Sequence, residues 1–80
     1  MSVRIVFLGP LSDMAGAEER EAAAPLDWTG LLEAVGPDLA DRLRDPRVRV
    51  ACAGTVLVDK TSLHARDGEE VALLPPVSGG

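Results

Sequence analysis

Apolar, strand-like runs stand near both ends of this chain. Val3, Arg4, Ile5, Val6, Phe7 and Leu8 form an apolar, β-branched run that stops at Gly9-Pro10, which predicts a strand with a defined end. Val3, Ile5 and Phe7 share one face, and Arg4, Val6 and Leu8 share the other. Arg4 belongs in water, so Leu8 on the same face is expected as exposed apolar surface. Residues 11–15, between Pro10 and Gly16, suit a single helical turn. Residues 18–24 are ambiguous by propensity and read as a second strand mainly because a hairpin return belongs there.

The strongest helical pattern follows Asp27, a suitable N-cap. Trp28, Leu31, Leu32 and Val35 recur at i, i+3, i+4 and i+7 and make one apolar stripe. Gly36 is placed to end this helix, and Pro37 to open a short second one in which Leu39 and Leu43 continue the buried face. After the Asp45-Pro46 turn, residues 47–53 alternate, with Val48, Val50 and Cys52 inward and Arg49, Ala51 and Ala53 outward. Gly54 marks a turn, 56–58 a short strand and 59–66 a connection. Asp67-Gly68 then makes a tight turn into Glu70-Val71-Ala72-Leu73-Leu74. Pro75-Pro76 ends that strand by removing two backbone donors. The predicted architecture is α+β: a mixed sheet of four to five strands with one main helix packed on one face. Residues 1–76 form the domain and 77–80 a flexible tail.

Composition narrows this picture. Eighty residues make one domain with a single modest core. Phe7 and Trp28 are the only aromatic residues, so aliphatic side chains must build that core. One cysteine leaves no internal disulfide, which suits a reducing, cytoplasmic setting. No segment reads as a signal peptide or a membrane span. A net charge of −5 argues against nucleic acid as a partner and suits a protein with a basic docking face.

The remaining signal is Val77-Ser78-Gly79-Gly80, directly after Pro75-Pro76. Two prolines make a stiff exit, and two glycines let the backbone pass through a channel too narrow for side chains. Ordering each glycine costs about 1–2 kcal/mol, so the free tail is expected to be disordered and to become fixed inside a partner. The pattern presents a bare carboxylate on a tether. ATP can activate such a group as an acyl-adenylate, and sulfide or a persulfide can displace AMP to leave a thiocarboxylate. Its sulfur is a good nucleophile, held at high effective concentration once docked. Leu74, beside the tail, joins Leu8 as a candidate docking contact. Burying either in a partner is worth roughly 1.5–3 kcal/mol before association costs.

The closing run from Asp67-Gly68-Glu69-Glu70-Val71-Ala72 through Leu73-Leu74-Pro75-Pro76-Val77-Ser78-Gly79-Gly80 closely resembles the C-terminus of the molybdopterin synthase small subunit (MoaD-like) family. The first strand and the length also fit. The resemblance implies a ubiquitin-like β-grasp fold and a thiocarboxylate at Gly80. The activating enzyme would be one resembling the ubiquitin activators, using ATP, and a separate sulfur donor would follow. No tightly bound cofactor is implied. The tail, Pro75, Pro76, Val77, Ser78 and Gly79 included, would enter a large synthase subunit, with Leu8 and Leu74 at the interface. A two-plus-two assembly is implied, with sulfur passing to cyclic pyranopterin monophosphate. Sulfur carriage for cysteine, thiamine or tRNA thiolation remains open, as do a ubiquitin-like modifier joined through Gly80 and a non-catalytic binding module.

Other residues carry less. Cys52 is inward-facing and reads as a structural thiol rather than a sulfur relay. His64 has no partner at metal-ligand spacing, so no metal site is expected. The acidic clusters at 18–21 and 67–70 read as solvated faces, and Trp28 as core.

Overall fold

The computed structural model describes residues 1–76, so Val77, Ser78, Gly79 and Gly80 lie outside the described residues. The alternating first segment forms β1 (Ser2–Phe7), whose Val3, Ile5 and Phe7 are buried. Pro10 opens α1 (Pro10–Ala15), and β2 (Glu19–Ala23) returns antiparallel to β1. A two-residue strand, β3 (Leu26–Asp27), leads into α2 (Trp28–Val35). Asp27 caps that helix as its position suggested: the Gly30 N–H donates to Asp27 Oδ1 at 2.7 Å. Gly36 separates α2 from α3 (Pro37–Leu43), which buries Leu39, Ala40 and Leu43.

The chain then enters β4 (Arg49–Cys52), β5 (Thr55–Val56), a short 3-10 turn (Lys60–Ser62), β6 (His64–Ala65) and β7 (Glu70–Leu74). The main sheet has the order β2-β1-β7-β4-β5. Its centre is the parallel pair β1–β7, with Ile5 opposite Val71 and Phe7 opposite Leu73. β4 runs antiparallel to β7 on the other side. The helices cover one face of this sheet. There Val3, Ile5, Phe7, Val50, Val71 and Leu73 meet Leu11, Leu31, Val35, Leu39 and Leu43 in one apolar cluster. Each fully buried aliphatic side chain of this kind stabilises the fold by about 1.5–3 kcal/mol. The architecture is the expected α+β arrangement, with a five-stranded mixed sheet.

Four local readings change. The connection at 59–66 is structured: His64 and Ala65 form β6, which pairs with Asp27 and Leu26 of β3. Two-residue strands carry no periodicity of their own, so only the pairing reveals them. Ala53, expected to extend the strand outward, instead shares a two-residue turn with Gly54, at φ 51° and 84°. Cys52 lies opposite Thr55 across this turn, and a hairpin this tight requires positive φ at both central residues. The short strand expected at 56–58 accordingly begins one residue earlier and ends at Val56, leaving Val58 fully exposed. Trp28 is only half-buried, at the rim of the core.

The weak pattern at 18–24 has a physical cause. Arg20 lies opposite Ile5, on the core-facing side of β2. Its guanidinium donates to Ala34 O at 3.0 Å and Ala15 O at 3.3 Å, and stands 5.7 Å from the Phe7 ring centroid. One side chain thus fastens carbonyls near the C-termini of α2 and α1, where a positive charge suits the helix dipoles. Arg20→Ala leaves both carbonyls without this donor and removes packing over Phe7. We expect a loss of about 2 kcal/mol in urea denaturation, with the fold retained in circular dichroism.

Candidate functional site

The uncovered face of the sheet collects the side chains that alternate away from the core. β1 contributes Arg4 and Val6, with Leu8 just beyond its end; β7 contributes Glu70, Ala72 and Leu74; β4 contributes Arg49 and Ala51; β5 contributes Val56. Register divides this face into two halves. At one end Arg4 stands between Glu19 (3.9 Å) and Glu70 (3.8 Å), all well exposed, so these pairs add little stability. Toward the other end lie Val6, Ala72, Ala51, Leu74, Leu8 and Val56. Leu8 is 39% and Val56 48% exposed, while Leu74 is half-buried. Alanines at 51 and 72, opposite each other, keep the middle of this patch low.

Leu8 and Leu74 therefore occupy the same side of the sheet and the same end of it, as their alternation suggested. Neither belongs to the buried core cluster. Val6, Ala51, Ala72 and Val56 belong to the same surface but were not picked out as contacts in the sequence, although Val6 shares the face of Leu8 and Ala51 reads as outward. Their membership follows from the β4–β7 and β4–β5 registers, which a linear pattern does not reveal. Arg49, directly opposite Leu74 and exposed, adds a cation at the patch border.

The chain leaves this surface at Pro75 and Pro76, half-buried and exposed respectively. Gly9 shapes the exit from the other strand. It has φ 56° and ψ −135°, a backbone conformation that L side chains rarely adopt. A Cβ built there would stand 3.4 Å from Pro75 Cγ. Gly9 thus permits the sharp turn into α1, and a side chain there would come into contact with Pro75. The sequence marked Gly9 only as a strand stop; its neighbour across the sheet was not visible there.

The residues considered as chemical alternatives sit elsewhere. Cys52 faces the core side and is half-buried, not fully enclosed. Burial pushes its thiol pKa up, and the Glu69 carboxylate adds to the effect, the opposite of an activated thiolate. His64 is exposed on β6. Among the described residues no group of three His, Cys, Asp or Glu side chains is placed to hold a metal ion, and no helix is long and apolar enough to cross a membrane.

A sheet whose central parallel strand carries the chain out beside an open apolar face defines a ubiquitin-like β-grasp protein. The sequence matches the ThiS family over residues 5–80, and the chain belongs to that family. Among solved structures it is similar to SAMP1 from Haloferax volcanii, at 24% identity over 100% of both chains and a TM-score of 0.72. It is also similar to small archaeal modifier protein 1 from Methanosarcina acetivorans, at 20% identity over 99% of this chain and 96% of that one, with a TM-score of 0.74. A third similarity is to a chain in the complex of subunits 1 and 2 of molybdopterin-converting factor from Helicobacter pylori. There identity is 24% over 100% of both chains, with a TM-score of 0.66. No curated protein sequence matches.

The exit geometry can be probed directly. Gly9→Ala places a methyl group in a strained backbone conformation against Pro75. We expect a loss of about 1–3 kcal/mol in chemical denaturation and shifted amide resonances at Leu74. Unchanged stability would show that Gly9 relaxes without cost.

Proposed function

We propose that this protein is a sulfur carrier whose C-terminal Gly80 is adenylated and then converted to a thiocarboxylate. The observation that carries the reading is the delivery of the chain end. β7, paired on both sides, brings Leu74 and Pro75 to the sheet margin beside Leu8, and the sequence continues into Val77-Ser78-Gly79-Gly80. Membership of the ThiS family supports it. In this reading the folded domain is a handle. Leu8, Leu74 and their neighbours dock, Pro75 and Pro76 set the direction, and Val77, Ser78 and Gly79 thread the partner's channel.

The chemistry balances without a catalytic group from the domain. The Gly80 carboxylate attacks the α-phosphate of ATP inside an activating enzyme, forming a mixed anhydride and releasing pyrophosphate. A sulfur nucleophile from a donor then attacks the carbonyl and AMP departs. When sulfide is the nucleophile this yields the thiocarboxylate directly; a persulfide forms an acyl disulfide that a thiol must then reduce. Later the docked thiocarboxylate sulfur attacks an acceptor carbon and displaces an oxygen leaving group there. Water then cleaves the carbonyl–sulfur bond of the resulting thioester, leaving the sulfur on the acceptor and restoring the Gly80 carboxylate.

For the acceptor we propose cyclic pyranopterin monophosphate, held by a large synthase subunit, with molybdopterin as product. The run Pro75-Pro76-Val77-Ser78 before Gly79-Gly80 favours this pathway, and so does the similarity to the molybdopterin-converting factor complex. Carriage for another sulfur pathway uses the same activated terminus. A second reading, a modifier joined through Gly80 to protein amines, is favoured by the similarity to small archaeal modifier protein 1.

Two measurements test these assignments. With an adenylating enzyme of the ubiquitin-activator type, the chain should support ATP–pyrophosphate exchange, and deletion of Gly80 should abolish it; exchange that survives the deletion contradicts the proposal. Leu8→Asp should weaken binding to the activating enzyme or large subunit by about tenfold or more. Its cost to folding should stay within about 0.5 kcal/mol, because Leu8 is outside the core.

A further inference from the structure

Seven arginines but one lysine supply the positive charge of this chain. That imbalance matters for a protein with an activated carboxyl terminus. An acyl-adenylate is open to attack by any neutral amine: a nitrogen–carbonyl bond forms, the carbon–oxygen bond to AMP breaks, and the amine proton passes to solvent. A guanidinium stays protonated throughout the neutral range and does not compete in this reaction. A free lysine does.

Lys60, the one lysine, is not displayed. It follows Asp59, whose carboxylate accepts from the Thr61 N–H at 3.0 Å and the Thr61 hydroxyl at 2.6 Å and so holds the short 3-10 turn. From that turn the half-buried Lys60 stem runs to the β4 entry. There Nζ donates to Asp45 O at 2.6 Å and Val48 O at 2.8 Å. The same nitrogen lies 5.9 Å from the Trp28 ring centroid. Two carbonyls and an aromatic face thus surround the ammonium, and the bonded form is the protonated one. Burial lowers its pKa while the Asp45 carboxylate acts in the opposite direction. The contacts also have a structural use: they tie the 59–63 segment to the residues just before Arg49, which stands opposite Leu74 at the docking face.

Building on the reading of Gly80 as the activated group, we propose that Lys60 is an internal fastener withdrawn from acylation. The activated tail therefore passes to sulfur or to an amine other than Lys60, such as the exposed Met1 amine or an amine on a different protein. It does not link copies of this chain into lysine-joined polymers. Under the modifier reading, targets would carry single copies rather than lysine-linked chains.

The test uses the full chain and an internal reference. Arg66 is exposed, directly follows β6 and is not one of the patch residues, so Arg66→Lys supplies an accessible lysine. With limiting N-hydroxysuccinimidyl acetate, the lysine introduced at position 66 should be acetylated at least about tenfold faster than Lys60, and the two rates should converge in denaturant. Equal rates in the folded protein would overturn the proposal. Wild-type protein incubated with ATP and an adenylating enzyme should yield no Gly80–Lys60 isopeptide in peptide mass spectra; finding that branched peptide would also overturn it. If no adenylate forms at all, the reading of Gly80 fails, and the acetylation ratio still decides the state of Lys60.

Discussion

The parallel pairing of β1 with β7 is the constraint on which the rest of this structure depends. The two strands are far apart in sequence, and their inward side chains, Val3, Ile5, Phe7, Val71 and Leu73, form the middle of the core. Because β7 is also paired to β4, its register is held from both sides, and a one-residue slip would turn Val71 and Leu73 toward water. That register brings Leu8 and Gly9 next to Leu74 and Pro75. The place at which the chain leaves the domain, at Pro75 and Pro76, is therefore set by core packing.

The same alternation creates the opposite face. Every residue sent inward by β1, β7 and β4 commits its neighbours outward, and here the outward set is divided by chemistry. Arg4, Glu21 and Glu70 hold the end where β1 and β7 begin; Val6, Ala51, Ala72, Leu8, Leu74 and Val56 lie toward the end where they finish, with Glu19 opposite Val6 at the β2 edge. Under the proposed function, an apolar patch bordering the chain exit would couple recognition to delivery, because a partner covering the patch would receive the tail beside it. Lys60 supports this border from behind by tying the 59–63 segment to the β4 entry. In the proposed carrier the domain supplies no catalytic group, and burial that raises the Cys52 thiol pKa is in keeping with that proposal.

Legibility in the sequence followed how local each cause was. β1 and β7 were readable because apolar alternation and terminal prolines or glycine lie within a few residues, and α2 because Asp27, its stripe and Gly36 are contiguous. The β3–β6 pair was not, since Leu26–Asp27 and His64–Ala65 take their structure from each other across a long separation. Arg20 obscured β2 because its core-facing position is satisfied by carbonyls of two helices rather than by apolar contact. At the site, Leu8 and Leu74 were found by alternation, while Val56, Ala51 and Ala72 required the sheet register. Gly9 looked like simple punctuation, and only the fold shows that a side chain there would meet Pro75.

The central claim is that the reacting group is the Gly80 carboxyl, carried by the domain and activated elsewhere. Intact-mass analysis tests it most directly, after incubation of the full chain with ATP, a ubiquitin-activator-like adenylating enzyme and sulfide. The account predicts replacement of one oxygen by one sulfur, with fragmentation placing the sulfur on Gly80. A terminus that stays a plain carboxylate, with an enzyme shown to form the adenylate on this chain, or sulfur found on Cys52 instead, would contradict it.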